Sequence, residues 1–236
     1  MPENSTNPRW FYPLLPGTVL RDRILACAAA AIGIGLTGAV TAAFLPIATL
    51  PWIVAPMGAS AVLLFAVPAS PLAQPWPMIG GNVLSALIGA LVVQAIGTGA
   101  VAAGIAVGAA ILAMSLLRCL HPPGGAAALT VVIGGPAVTD AGWTFAFAPV
   151  GLNSLLLLAV ALAFHRFSGH SYPHRTPVQA GPRAFERQDV DAALADLGEA
   201  LDIERGDLET LLERAEHHAR ERAARERTAP ARRVNR

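Results

Sequence analysis

Lysine is absent from the chain, and 17 arginines stand against 16 acids for a formal net charge of +1. That balance excludes the basic footprint by which proteins find nucleic acid, so no nucleic-acid partner is expected. Cysteine is almost missing as well. Cys27 and Cys119 lie in apolar surroundings, without zinc-ligand spacing and too few for a disulfide framework. Charged residues of any kind make up only 14% of the chain, against 54% hydrophobic, which excludes an ordinary soluble domain.

The little charge present is unevenly placed. Residues 1–168 hold 5 Arg and 3 acids, whereas residues 169–236 hold 12 Arg and 13 acids. An apolar body therefore carries a polar tail, the pattern of a multi-pass membrane protein with a cytosolic extension. The first apolar run is a full 22 residues with no clear cleavage site, so no cleavable signal peptide is expected.

The expected fold class is all-α. Its apolar segments run over residues 24–45, 50–68, 78–97, 100–117, 122–133 and 145–165. Arg9, Arg21 and Arg23 precede the first, and Arg166 and Arg175 follow the last. The positive-inside rule then places both ends in the cytosol of an inner-membrane protein, which requires an even number of crossings. Six satisfies this; so does four, if the two interrupted segments do not cross. Trp10, Trp52, Trp76 and Trp143 fall near segment ends, where tryptophan anchors at the interface. The domain reading is residues 1–20 as a cytosolic segment, 21–168 as the membrane body, 169–182 as a linker, 183–228 as a helical hairpin and 229–236 as a disordered end.

The two interrupted segments resemble each other. Pro56-Met57-Gly58-Ala59-Ser60 aligns with Pro122-Pro123-Gly124-Gly125-Ala126, and Gly80-Gly81-Asn82 with Gly151-Leu152-Asn153. Trp76 and Trp143 precede the second pair of motifs. Each unit then has three crossings, and an odd number inverts the second unit relative to the first, the plan of many secondary transporters. A helix starting at Pro56 or Pro122 holds only ~12 residues, or ~18 Å, too short for a ~30 Å hydrocarbon core. Proline suits a first helical turn, where its missing N–H would be unsatisfied anyway.

Two broken-helix N-termini facing each other would offer the amides of Gly58, Ala59 and Ser60 and of Gly124, Gly125 and Ala126 to a small anion. The plainer alternative is that Pro56, Pro122 and Pro123 only kink full-length helices. Arg118 and His121 are the ionisable groups beside the second break, candidates for tuning its potential or carrying a proton. Asn82 and Asn153 are candidates for bonding across helices, and Gly104-x-x-x-Gly108 has a helix-contact spacing.

The run Arg118-Cys119-Leu120-His121-Pro122-Pro123-Gly124-Gly125 resembles the signature of the HPP family of multi-span proteins. Pro51-Trp52-Ile53-Val54-Ala55-Pro56-Met57-Gly58 and the Gln74-Pro75-Trp76-Pro77 run are similar to it too, and the resemblance covers roughly residues 15–168. It implies a membrane transporter for a small anion, nitrite being the substrate of family members from chloroplasts and cyanobacteria. The family is usually described with four spans, against the six segments counted here. The tail is similar to the segment that in many members leads into a pair of CBS domains.

Within the tail, Val190, Leu194, Leu197 and Leu201 form one apolar stripe, and Leu208, Leu211, Leu212 and Ala215 a second. His217-His218 has no further ligands nearby, so neither a metal nor a cofactor is expected. The expected partners are the lipid bilayer, a small anion and, compatibly, further copies of the chain. Two other functions stand beside transport: a scaffold recruiting a partner through its tail, and an intramembrane hydrolase with Ser60 as nucleophile and His121 as base.

Overall fold

The structure, a computed structural model, describes residues 20–44, 50–175, 186–197 and 202–228. Arg9, Trp10, Leu45 and Leu201, with most of the linker, lie outside the described residues. The described chain is helical throughout its body, in the order α1 (Leu20–Phe44), α2 (Pro56–Ala66), α3 (Pro75–Ile96), α4 (Ala100–Leu116), α5 (Pro122–Ile133), α6 (Pro136–Ala141) and α7 (Leu152–Ser168). The tail adds α8 (Arg187–Leu197) and α9 (Arg205–Thr228). This is an all-α, multi-pass membrane protein.

Proline and glycine set most boundaries. Pro56, Pro75 and Pro122 each occupy a first turn. His121, directly before Pro122, is extended at φ −139° and ψ 108°, as crowding by the proline ring demands. Between α3 and α4 the chain reverses through Gly97 and Gly99, at φ 78° and 127°, a backbone only glycine adopts without strain. The proline-rich stretch of residues 69–77, which by composition reads as a loop, is only partly one. It holds a single 3-10 turn at Pro71–Ala73, and α3 already starts at Pro75. The start of the last membrane helix is irregular too. A π-helical turn at Ala146–Gly151 contains Pro149, and Ala148 before it is extended at φ −138° and ψ 111°.

Among the described residues, three helices are long and apolar enough to cross a bilayer: Leu20–Phe44, Pro75–Ile96 and the merged Ala146–Ser168. The 11 residues of α2 and the 12 of α5 reach only ~16 and ~18 Å. The first unit thus has a long, a short and a long helix, whereas the second begins with α4, whose 17 residues fall short of the long class, followed by the short α5 and the long merged helix. Packing follows the same scheme. In the first unit α1 lies on α2, and in the second α4 lies on α5. Across the units, α3 packs on α4 and α5 as α7 packs on α1 and α2, while α2 meets α5 and α3 meets α7. Exchanging the units maps each of these contacts onto another or, for α2 with α5 and α3 with α7, onto itself.

The closest approach is between α3 and α5, and small residues permit it. Gly81, Ser85 and Gly89 recur at every fourth position of α3. A Cβ on Gly81 would lie 2.6 Å from His121 Cβ, and one on Gly89 2.7 Å from the Ala128 carbonyl. By contrast, Gly104 and Gly108, the pair whose spacing suggested a helix contact, are exposed and have nothing within 4 Å of a built Cβ. Their spacing corresponds to no packing within this chain. Trp52, Trp76 and Trp143 are exposed, as interface anchors should be.

The tail also differs from its amphipathic reading. Val190 of α8 is buried, but Leu211 and Leu212 of α9 are exposed and Glu209 is buried instead. Glu209 pairs with Arg205 within α9, and Arg205 also reaches Asp191 on α8 at 2.5 Å, an ion pair that joins the two helices.

Candidate functional site

The two chain breaks are held by polar side chains from the opposite unit. At the first, residues 52–54 leave the helical state and free their backbone groups inside an apolar body. Asn153, on α7, satisfies them. Its Oδ1 accepts from Val54 N–H at 3.0 Å, and its Nδ2 donates to Trp52 O at 3.2 Å and to Thr41 Oγ1 at 2.9 Å. This is how broken helices survive at membrane depth: the freed groups are re-satisfied by neighbours.

At the second break the bridging group is His121, with none of its surface exposed. Its Nδ1 lies 2.8 Å from the carbonyl of Leu72, in the turn between α2 and α3. A carbonyl can only accept, so Nδ1 carries a proton, and in the neutral ring Nε2 is an acceptor. Ser60 Oγ, 2.9 Å from Nε2, then donates to it. Ser60 is on α2 and His121 caps α5, so this one contact joins the two short helices.

The network continues across the bundle. Asn82 Nδ2 donates to Ser60 Oγ at 3.3 Å and to Ser154 Oγ at 3.4 Å, and Ser154 points its hydroxyl at Met57 Sδ, 4.0 Å away. All of these side chains are buried. Asn82 Oδ1 and Ser85 Oγ are buried without a hydrogen-bond partner. Unsatisfied polar atoms are uncommon in native interiors, and here two of them flank the His121–Ser60 contact.

Of the amides expected to form one cradle, at Gly58, Ala59, Ser60, Gly124, Gly125 and Ala126, two are already engaged. Gly58 N–H donates to Ala55 O at 3.1 Å, and Gly124 N–H donates to His121 O at 2.8 Å, so each is used to close its own first turn. The approach to Gly124 is filled: a Cβ there would sit 2.8 Å from Gly81 O, Ser85 Oγ and Met114 Sδ. Pro123 is buried alongside, whereas Gly58, Ala59, Pro122 and Ala126 are exposed. Ser60 meets His121 through its side chain, one turn along from Pro56. Arg118 is exposed at the α4–α5 turn, at φ 53°, outside the hydrogen-bonded cluster.

Several members of the cluster were not singled out from the sequence. Ser154 follows Asn153 and was overlooked, and the Leu72 carbonyl is backbone, which residue identity cannot announce. His165 stood out only as a span end. Its Nε2 lies 2.8 Å from Leu64 O and its Nδ1 3.0 Å from Ser168 Oγ, with Phe164 edge-on at 5.0 Å. A histidine in the last turn of an apolar helix was the available signal. In the tail, one donor atom each of His174, Glu204 and Asp207 lie within 4.8 Å of one another. His217 and His218 drew attention instead, and each faces Glu221.

Residues 16–173 match the transmembrane region of the HPP family, about two thirds of the chain. The chain belongs to the HPP family. A transmembrane protein of Dictyostelium discoideum is 42% identical over 120 residues, which is 49% of this chain and 42% of that one. A second from the same organism is 40% identical over 114 residues, 47% of this chain and 36% of its own length. The chain therefore spans less than half the length of these curated relatives. No solved structure matches it.

Proposed function

We propose that this HPP protein moves a small inorganic monoanion across the membrane, nitrite being the first to test. One observation carries the reading: two short proline-initiated helices, one from each repeat, are joined in the buried interior by the His121–Ser60 hydrogen bond. Interrupted segments in matching positions are where transporters of this plan bind substrate. In this reading both termini face the cytosol, as the flanking arginines favour.

The chemistry follows from which atoms hold protons. With Nδ1–H committed to Leu72, protonation of His121 must occur at Nε2. The new Nε2–H donates to Ser60 Oγ, and the Ser60 hydroxyl hydrogen, until then directed at the ring, is released to donate elsewhere. A buried imidazolium is costly without a countercharge. A monoanion beside Ser60 supplies that charge and accepts the released hydroxyl. Proton and anion then enter and leave together, and neither is trapped by a permanent ion pair.

The test is nitrite uptake into proteoliposomes across a pH series. His121→Ala should lower uptake by about tenfold to a hundredfold, the worth of one buried charge-assisted hydrogen bond, and flatten the pH profile. Undiminished uptake places the pathway elsewhere.

The Ser–His pair makes hydrolysis the second reading, since Ser60 Oγ is within hydrogen-bond reach of a base. Against it, the other ring nitrogen faces a carbonyl rather than a carboxylate. The Met57 and Gly58 amides that would hold an oxyanion donate to Val54 O and Ala55 O. Labelling of Ser60 by a fluorophosphonate would favour this reading over transport.

A further inference from the structure

The turn that orients His121 is also where the tail is fastened. Asp202, exposed in the turn between α8 and α9, accepts from Ser70 Oγ at 2.8 Å. Ser70 Oγ in turn accepts from Leu72 N–H at 3.1 Å. The Leu72 carbonyl accepts from His121 Nδ1 at 2.8 Å, and His121 Nε2 accepts from Ser60 at 2.9 Å. Four hydrogen bonds and the backbone of Leu72, through the two peptide units that meet at its Cα, thus lead from an exposed tail carboxylate to the buried contact between the short helices.

Three further ties hold the tail segments to the same turn or to one another. Tyr172 OH donates to Ala73 O at 2.8 Å, and His174 N–H donates to Gln74 Oε1 at 2.9 Å. The His174 ring then reaches Asp207 Oδ2 at 2.8 Å and Glu204 Oε2 at 3.7 Å, which binds the start of α9 to the same place. Gln74 closes the turn from within, donating to Pro68 O and Ser70 O. The tail makes these contacts on the one surface segment that also touches His121.

We infer that the tail is a positioning element for His121, with Asp202 as the residue that sets it. The reasoning is local. A neutral imidazole has two tautomers, and the partner of one nitrogen selects which is present. Leu72 O selects Nδ1–H only while the peptide unit joining residues 72 and 73 is held, and Ser70 holds both units that meet at Leu72: its hydroxyl accepts from Leu72 N–H at 3.1 Å and its carbonyl from Ala73 N–H at 3.0 Å. With its own hydrogen committed to Asp202, the Ser70 hydroxyl is the better acceptor for Leu72 N–H, because hydrogen bonds in a chain polarise one another. Withdrawing the α8–α9 turn removes Asp202 and leaves the Leu72 carbonyl free to tilt. Nε2–H then becomes populated, and Ser60 loses its acceptor. The tail thereby governs the donor direction of Ser60 from outside the membrane body. Its consequence for flux rests on the proposed transport function; the tautomer itself does not.

The experiment uses the full chain in lipid nanodiscs with ring-nitrogen-labelled histidine, the His121 signals being assigned by their loss in His121→Gln. Wild type should show a single Nδ1–H tautomer at a pH where the ring is neutral. Asp202→Ala and Ser70→Ala should each give both tautomers and speed exchange of the Leu72 amide about fivefold, the effect of one lost hydrogen bond. Asp202→Asn keeps an acceptor oxygen and should restore the wild-type spectrum. Asp207→Asn loosens the clamp without touching the chain of bonds and should give an intermediate mixture. A wild-type tautomer and wild-type exchange in both Asp202→Ala and Ser70→Ala overturns the inference. Nitrite uptake by the same samples separates the two readings. Absent wild-type uptake with a shifted tautomer in the variants ends the transport reading and leaves the positioning role standing.

Discussion

At the first break the residue before the proline is Ala55, which is exposed; at the equivalent place in the second, 66 positions on, stands His121, fully buried. Ser60 of the first unit likewise corresponds to Ala126 of the second. The polar pair is thus assembled from one half of each repeat, and the symmetry-related location holds two alanines. Packing is unequal in the same sense. Gly81 on α3 lets the His121 segment approach closely, while its counterpart on α7 is Leu152. The asparagines have exchanged loads as well. Asn153 makes three bonds of 3.2 Å or less to the first break and its surroundings, whereas Asn82 makes two long ones of 3.3 and 3.4 Å and leaves its oxygen unpartnered. The repeat supplies the scaffold, and departures from it make one break structural and the other chemical.

That contrast is tested most severely by Gly124→Val. A Cβ there already meets a backbone carbonyl of α3, which cannot swing aside as a flexible side chain would. Destabilisation of about 3 kcal/mol, at the upper end for overpacking, is expected. A large fall in the unfolding midpoint in detergent and loss of flux would register it.

Asn153→Ala comes next. It leaves Val54 N–H and Trp52 O in the body without their bond and removes the donor to Thr41. The expected cost is about 2–3 kcal/mol, read as a lowered thermal midpoint. Asn82→Ala, its repeat equivalent, should cost only about 1 kcal/mol, because its bonds are long and one buried unsatisfied oxygen disappears with it. Equal losses in the two variants would show that the asparagines carry the same load and that the breaks are not differentiated.

The sequence made much of this architecture legible, and where it failed the reasons are physical. Hydropathy located every membrane helix, because burial in lipid demands apolar runs of known length. The start of α5 was readable at Pro122 because proline fixes its own backbone. Pro75 and Pro77 misled, since a loop composition is also a helix start. The breaks were visible as paired Pro-Gly motifs, but the site between them was read from amides, and the local turns consume those amides at Gly58 and Gly124. His121 and Ser60 were paired only as base and nucleophile in the hydrolase alternative, not as a bond between the two breaks. Their contact joins residues 61 positions apart in sequence, a separation no local pattern encodes. Gly81 and Gly89 were overlooked in favour of Gly104 and Gly108 because spacing says which residues share a face, not which face meets a neighbour.

The mildest substitution is the most discriminating. Gly58 occupies in the first break the place Gly124 occupies in the second, yet nothing lies within 4 Å of a Cβ built there. Its backbone is helical, within α2, so alanine suits the position without strain. Gly58→Ala should therefore be neutral or stabilising by about 0.5 kcal/mol, chiefly by restricting the unfolded chain. The thermal midpoint in detergent should stay level or rise by about 1–2 °C. Gly124→Ala should lower it, since even one methyl meets Gly81 O, Ser85 Oγ and Met114 Sδ. A fall of similar size in both would mean that the first break is packed as closely as the second.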